Sequence, residues 1–338
     1  MWNSKIGESK ACAIADPANP SLQLAEGTSV RGTARSDKSG FVGASGRLTG
    51  ATPEAIRRLA IRLGQQAKKF HDQRVQQLAS TSLQADERWG FAGSKREQLW
   101  QAEVIDPATR LVVAFATGVR NERLIEQILQ DAAARVSYPQ GVVLFTDGEP
   151  SYKQPEDRTL RVRPIFGHPY RPARKGSRGR FPNVRYRLSR RQAQVMVRKT
   201  RQRGRLVQVE AQVAHGSSKR VARELSRLGF SQANTSTIER RNGTARGMDA
   251  TSVRKSLAFA KTMETKRVLG AWGVLVYNWA RECRSLKRLL PQPKGRQLYE
   301  RRSPAMAAGL TDHIWSVREL QGRMRWVRSP TYPSGGQR

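Results

Sequence analysis

The sequence predicts an α/β fold, a mixed sheet flanked by helices, and three observations lead there. Three apolar runs separated by turn residues lie between positions 86 and 118. A segment with a single apolar stripe follows them, and then an unbroken apolar run, Val142-Val143-Leu144-Phe145, ends on Thr146-Asp147-Gly148. Short apolar runs bounded by turn residues read as strands, and apolar residues recurring at i, i+3 and i+4 read as a helix.

In chain order, residues 1–50 are rich in Gly, Ser, Ala and Thr without a sustained period, which reads as a flexible leader. Residues 51–83 form a helical segment. Thr52-Pro53-Glu54 supplies a hydroxyl cap, a proline at the first helical position and an acid in the first turn. Ile56, Leu59, Leu63, Ala67 and Phe70 continue it at helical spacing, with Gly64 as a point where it could divide in two.

The three strands are expected at Arg88 to Ala92, Leu99 to Ile105 and Leu111 to Thr117, an antiparallel meander with turns at Gly93-Ser94-Lys95 and Asp106-Pro107-Ala108. Asn121 then caps a helix striped by Leu124, Ile125, Ile128, Leu129 and Ala132, and Tyr138-Pro139-Gln140-Gly141 ends it. Val142 to Phe145 is a buried strand. Three strands, a helix and a fourth strand make the opening half of a ribonuclease H-like fold, expected to occupy residues 84–290.

Between Arg158 and Arg205 there are seventeen Lys or Arg and no acid. This stretch reads as a basic arm inserted at about 155–218. Helix returns from Lys219 to Leu228 and from Ser252 to Leu290, where Leu257, Ala260, Val268, Trp272, Leu275, Val276, Trp279, Cys283 and Leu286 share a face. Residues 291–338, with Pro291, Pro293 and Pro330, read as a loose basic tail. No internal repeat is visible, which excludes a solenoid.

Composition narrows the function. Sixty-two Lys and Arg against 27 Asp and Glu leave a formal charge of +35, which argues against a small-molecule enzyme and for a polyanionic partner, most simply nucleic acid. A coat for RNA or a membrane surface is the plainer alternative. Cys12 and Cys283 are far apart and lack a C-x-x-C partner, so they build neither a disulfide framework nor a zinc site. The longest greasy stretch, Val268 to Ala280, is too short to span a bilayer. A cytoplasmic, nucleoid-associated protein is expected.

Phosphoryl transfer in nucleases is commonly run by two divalent ions about 3.5–4 Å apart, and hard ions such as Mg take carboxylate oxygens. Asp86 beside the first strand, Asp147 ending the fourth, and Glu239 ahead of the long helical region are acids in suitable places. Each also has a plain reading. Asp86 could be a solvated acid at a strand start, Asp147-Gly148 a simple turn, and Glu239 a surface partner of Arg240 or Arg241.

Their flanking residues raise the functional reading. Asp86-Glu87-Arg88-Trp89-Gly90-Phe91-Ala92-Gly93-Ser94-Lys95 resembles the first catalytic motif of transposases of the insertion-sequence-one family. Thr146-Asp147-Gly148-Glu149-Pro150-Ser151-Tyr152 resembles the second, and Thr237-Ile238-Glu239-Arg240-Arg241-Asn242 the third. Leu257-Ala258-Phe259-Ala260-Lys261 is similar to a segment downstream of it. The resemblance covers about residues 84–285. It implies a DNA transposase that cuts at element ends and joins the freed 3′-hydroxyl to target DNA, with Asp86, Asp147 and Glu239 holding two Mg or Mn ions. Glu210 and Glu224 are rival third acids without the motif around them.

Members of that family usually carry a cysteine-rich zinc module and a helix-turn-helix before the catalytic part. The cysteines are missing here, and residues 51–83 read as what is left of the helical part. DNA, at element ends and target, is the expected partner, held by a homo-oligomer. Arg171, Arg174, Lys175, Arg178 and Arg180 of the arm are candidate phosphate contacts whose binding weakens as salt rises. So are Arg240, Arg241 and Lys261 near the third acid, while Asn242 orients a phosphate or, preferably, caps a helix. His71, His168, His215 and His313 read as ordinary polar residues. The alternatives are a catalytically inactive nucleic-acid-binding protein on the same fold and a nuclease that cuts without joining.

Overall fold

The computed structural model describes residues 50, 52–148, 152, 167–170, 185–189, 191–253 and 259–325. Helix α1 (Pro53–Arg74) starts where Thr52 accepts a hydrogen bond from the Ala55 amide at 3.2 Å. It runs unbroken through Gly64. A Cβ there would lie 2.3 Å from the Cβ of Val268, so the glycine lets a later helix touch α1 backbone to side chain instead of dividing it. Ala67 and Phe70 are buried, and α1 is part of the main core.

Strand β1 spans Ser82–Arg88, earlier than the apolar pattern suggested, so Asp86 lies inside the strand rather than beside it. The reason is that Ser82, Gln84 and Arg88 are polar yet buried. Gln84 donates to the Asn234 carbonyl at 2.9 Å and accepts from the Ile238 amide at 3.0 Å, which removes the cost of an unpaired buried amide. Of the residues expected as the first strand, Arg88 ends β1, and Phe91–Ala92 (β2) pair in a small hairpin with Ser94–Gln98 (β3), which takes up part of the expected turn.

Strands β4 (Trp100–Ile105) and β5 (Val112–Gly118) complete the meander. Helix α2 (Glu122–Arg135) follows, capped by Asn121, whose side chain accepts from the Leu124 amide at 3.0 Å. Strand β6 (Val143–Asp147) pairs parallel to β1. A short ladder, β7 (Gly167–Tyr170) with β8 (Arg185–Leu188), lies within the basic region.

Two more strands correct the extent of the expected insertion. Strand β9 (Ala193–Gln202) pairs parallel to β6, and β10 (Arg205–His215) pairs antiparallel to β9. The result is one mixed six-stranded sheet of order β10-β9-β6-β1-β4-β5. Ala193, Val195, Met196 and Val197 are buried, so this half of β9 is core that the surrounding Lys and Arg obscure in the sequence.

Helix α3 (Ser218–Leu228) begins at Ser217 and ends on Gly229, whose φ of +69° supplies a left-handed cap. Helix α4 (Ser236–Met248) packs on β1 and β4. Helix α5 (Met263–Leu275) starts at Thr262 and continues into a wide turn, Val276–Ala280. The long helix expected to reach Leu290 stops there. Cys283 and Leu286 are only half-buried, and the following residues form a hairpin of β11 (Arg288–Lys294) and β12 (Gln297–Glu300).

The expected tail is also folded as far as residue 325. Ser303 caps α6 (Pro304–Ala307), and α7 (Val317–Arg325) follows. Trp315 lies 4.7 Å from Trp279 and 5.8 Å from Phe70, ring centre to ring centre, and Leu320 and Met324 are buried in the same core. Such aromatic pairs are worth about 0.5–1.5 kcal/mol each beyond their buried area. Helices thus flank the sheet, with a main core around α1, α2 and α5 and a smaller one of Val143, Phe145, Val195, Val197 and Val221 under α3. No helix among the described residues is long and apolar enough to cross a membrane.

Candidate functional site

Parallel pairing of β1 with β6 sets the site. Ala85 is in register with Thr146, and one step beyond stand Asp86 and Asp147 on neighbouring strands about 4.8 Å apart. On the other side of β1, Asp86 is in register with Glu103 of β4. Three acids therefore cross the middle of the sheet in a row.

Carboxylate oxygens of Asp86, Glu87 and Asp147 all lie within 4.8 Å of one another, close enough to share a cation. Burial, then the Asp147 and Glu87 carboxylates, push the Asp86 pKa up to about 7. Its Oδ1 accepts from the Glu87 amide at 2.8 Å, and its Oδ2 accepts from the Asn242 side-chain amide at 2.7 Å.

Glu87 is held differently. Arg120 pairs with one of its oxygens at 2.5 Å, and the Tyr152 hydroxyl donates to the other at 2.8 Å. Burial and the Glu87 charge raise the Tyr152 pKa well above its usual value, so it stays a donor. The Tyr152 carbonyl in turn accepts from Gln194 of β9 at 2.6 Å. Tyr152 is thereby tied to β1 and β9.

Glu239 sits in the first turn of α4, and its Oε1 accepts from Thr235 at 2.7 Å and pairs with the Lys199 ammonium. It stands near enough to Asp86 to contribute to that group's raised pKa, but outside the tight Asp86, Glu87 and Asp147 cluster. Of the rival acids, Glu224 is buried and paired with Arg220 and Arg227, and Glu210 is exposed on the edge strand β10.

The expected DNA contacts part company. Arg240 is exposed on α4, and Lys261 is exposed with its ammonium 3.6 Å from the Phe259 ring centre. Arg241 is 2% exposed: it pairs with Glu103 at 3.1 Å and lies 4.3 Å over the Tyr277 ring, facing the core and not solvent. Asn242 is neither a cap nor a surface group. It is mid-helix and bridges Asp86 to Arg88, whose guanidinium donates to the Asn242 oxygen at 2.7 Å. Since a guanidinium only donates, this contact fixes which end of the amide faces Asp86. Arg171, Arg174, Lys175, Arg178 and Arg180 lie outside the described residues, as do Glu149 to Ser151 and Leu257-Ala258 of the motifs.

Sequence reasoning missed Glu103, Arg88, Asn242 in its bridging role and Lys199. Gln101 and Glu103, two polar residues at alternate positions inside an apolar run, were the available signal for the first. Lys199 is one of seventeen basic residues and nothing set it apart. Comparison with known protein families and with curated proteins finds no match for this chain.

Proposed function

We propose that the chain is a DNA transposase with a ribonuclease H-like core, in which Asp86, Asp147 and Glu239 hold divalent metal. The convergence of Asp86 and Asp147 from adjacent parallel strands carries this reading. The sheet order, an antiparallel meander followed by two parallel strands, agrees with such a core.

The donor set suits Mg or Mn. It is made of hard carboxylate oxygens, and burial together with the neighbouring Asp147 and Glu87 charges disfavours a bare Asp86 carboxylate, a cost that a divalent cation would relieve. When bound, the metal would supply activation of an attacking oxygen and stabilisation of a leaving oxygen. The chain's own residues set the ligands: Asn242 and the Glu87 amide orient the Asp86 carboxylate, while Arg120 and Tyr152 hold Glu87. Outer contacts of this kind fix ligand geometry. The formal charge of +35 provides the attraction for DNA.

A second reading, an inactive nucleic-acid-binding protein on the same fold, draws on the pairing of Glu239 with Lys199, which occupies the third acid. One assay separates the two. With labelled element ends, a supercoiled target and Mg or Mn, the wild-type chain is expected to nick and join, and Asp147→Asn to do neither while still retaining DNA. Unchanged cleavage by Asp147→Asn refutes the transposase reading, and salt-sensitive binding without any wild-type cleavage establishes the second. Cutting without joining points to a nuclease.

A further inference from the structure

We propose that Lys199 has two occupancies: it neutralises Glu239 in the metal-free protein and binds a DNA backbone phosphate when that carboxylate is given to metal. The inference rests on the reading of Asp86, Asp147 and Glu239 as ligands and adds to it a phosphate site and a competition.

Position comes first. Val197 of β9 is the register partner of Asp147, and Lys199, two residues on, projects from the same face roughly 7 Å along the strand. It therefore overhangs the end of the sheet where the acids converge. Its ammonium pairs with Glu239 and donates to Thr235 Oγ1 at 2.9 Å, and that hydroxyl donates to the same Glu239 oxygen.

Accessibility comes second. The Lys199 side chain is 18% exposed and that of Glu239 40%, so solvent and ligands reach the pair. A pair this open to solvent on its carboxylate side is held less firmly than a buried one, so it can exchange for a better counter-ion. A divalent cation and an ammonium on one carboxylate repel each other, so occupation by one weakens the other. Released from Glu239, a long stem with three donors suits a phosphate oxygen.

The surroundings supply the third point. Arg198, Arg201, Arg203 and Arg205 are exposed at the same end of β9 and β10, and Arg198 lies against Gly148, next to Asp147. A polyanion drawn to this end meets Lys199 beside the acids.

The competition has a signed consequence. By electron paramagnetic resonance without DNA, Lys199→Met is expected to bind Mn roughly fivefold tighter than the wild type, and Lys199→Arg about equally. In EDTA at low salt, Glu239→Gln is expected to bind a short DNA duplex roughly fivefold tighter, with the gain lost in Glu239→Gln/Lys199→Met. Mn affinity unchanged in a folded Lys199→Met, checked by thermal melting in EDTA, overturns the proposal. Should that variant unfold, duplex affinity unchanged in Glu239→Gln overturns it instead. A wild-type chain that binds Mn no better than Asp147→Asn refutes the metal reading, and the duplex measurement in EDTA still decides the role of Lys199.

Discussion

Glu103, fully buried, and Asp86, partly buried, are carboxylates in register on adjacent strands, yet their surroundings drive them in opposite directions. Burial alone would raise both. At Glu103 the guanidinium groups of Arg241 and Arg88 outweigh it and hold the carboxyl below its usual range. At Asp86 the neighbours are Asp147 and Glu87, and the pKa climbs to about 7. Glu103 lies between two guanidinium groups, whereas the charges that act most on Asp86 are carboxylates. Arg88 joins the two, pairing with Glu103 at 2.9 Å and steering Asn242 onto Asp86.

The largest break in this comparison is expected at Glu103. Glu103→Gln leaves two buried guanidinium groups short of their counter-charge and is expected to cost about 3–5 kcal/mol of stability, read by urea unfolding. A loss within experimental error would mean the network is not what holds β4 to α4.

Asp86 is expected to behave in the opposite sense. Its folded pKa lies above its unfolded value of 3.8, so the folded state keeps the proton longer, and stability falls as pH rises from about 4 to 7. Asp86→Asn removes that loss. Metal-free, it is expected to be more stable than the wild type by about 4 kcal/mol at pH 8, with the difference shrinking towards pH 4. A variant equally destabilised at both pH values would contradict the crowding described here.

The smallest effect belongs to the bridge. Asn242→Ala keeps all the acids but removes the donor that holds Asp86 Oδ2, and is expected to weaken Mn binding about tenfold. Equal Mn affinity would assign Asn242 to packing alone.

Much of the scaffold was legible because local signals and tertiary packing agree. The caps at Thr52 and Asn121, the second and third strands of the meander, the apolar run into Asp147 and the helix read from Lys219 stand close to where local signals put them. The failures share a physical cause. Buried polar residues disguised β1, since Gln84 finds its partners at Asn234 and Ile238, and Arg88 finds its own at Glu103 of β4 and at Asn242, far along the chain. Basic residues on the outer end of β9 hid an apolar inner half. Trp315 and Met324 scattered among charges concealed the folded C-terminal helices. In the site, Asp86 and Asp147 were readable from their settings, but Arg241 and Asn242 were assigned to DNA because a sequence does not say which side of a helix faces the core. Their long-range partners, Glu103 and Asp86, decide it.

The central claim is that Asp86 and Asp147 form a cation site, and calorimetric titration with Mn at pH 7.5 addresses it most directly. The wild-type chain is expected to bind Mn at this site, and Asp86→Asn and Asp147→Asn, each folded by thermal melting, are expected to lose that binding. Mn binding of equal affinity and stoichiometry in all three proteins would contradict the account.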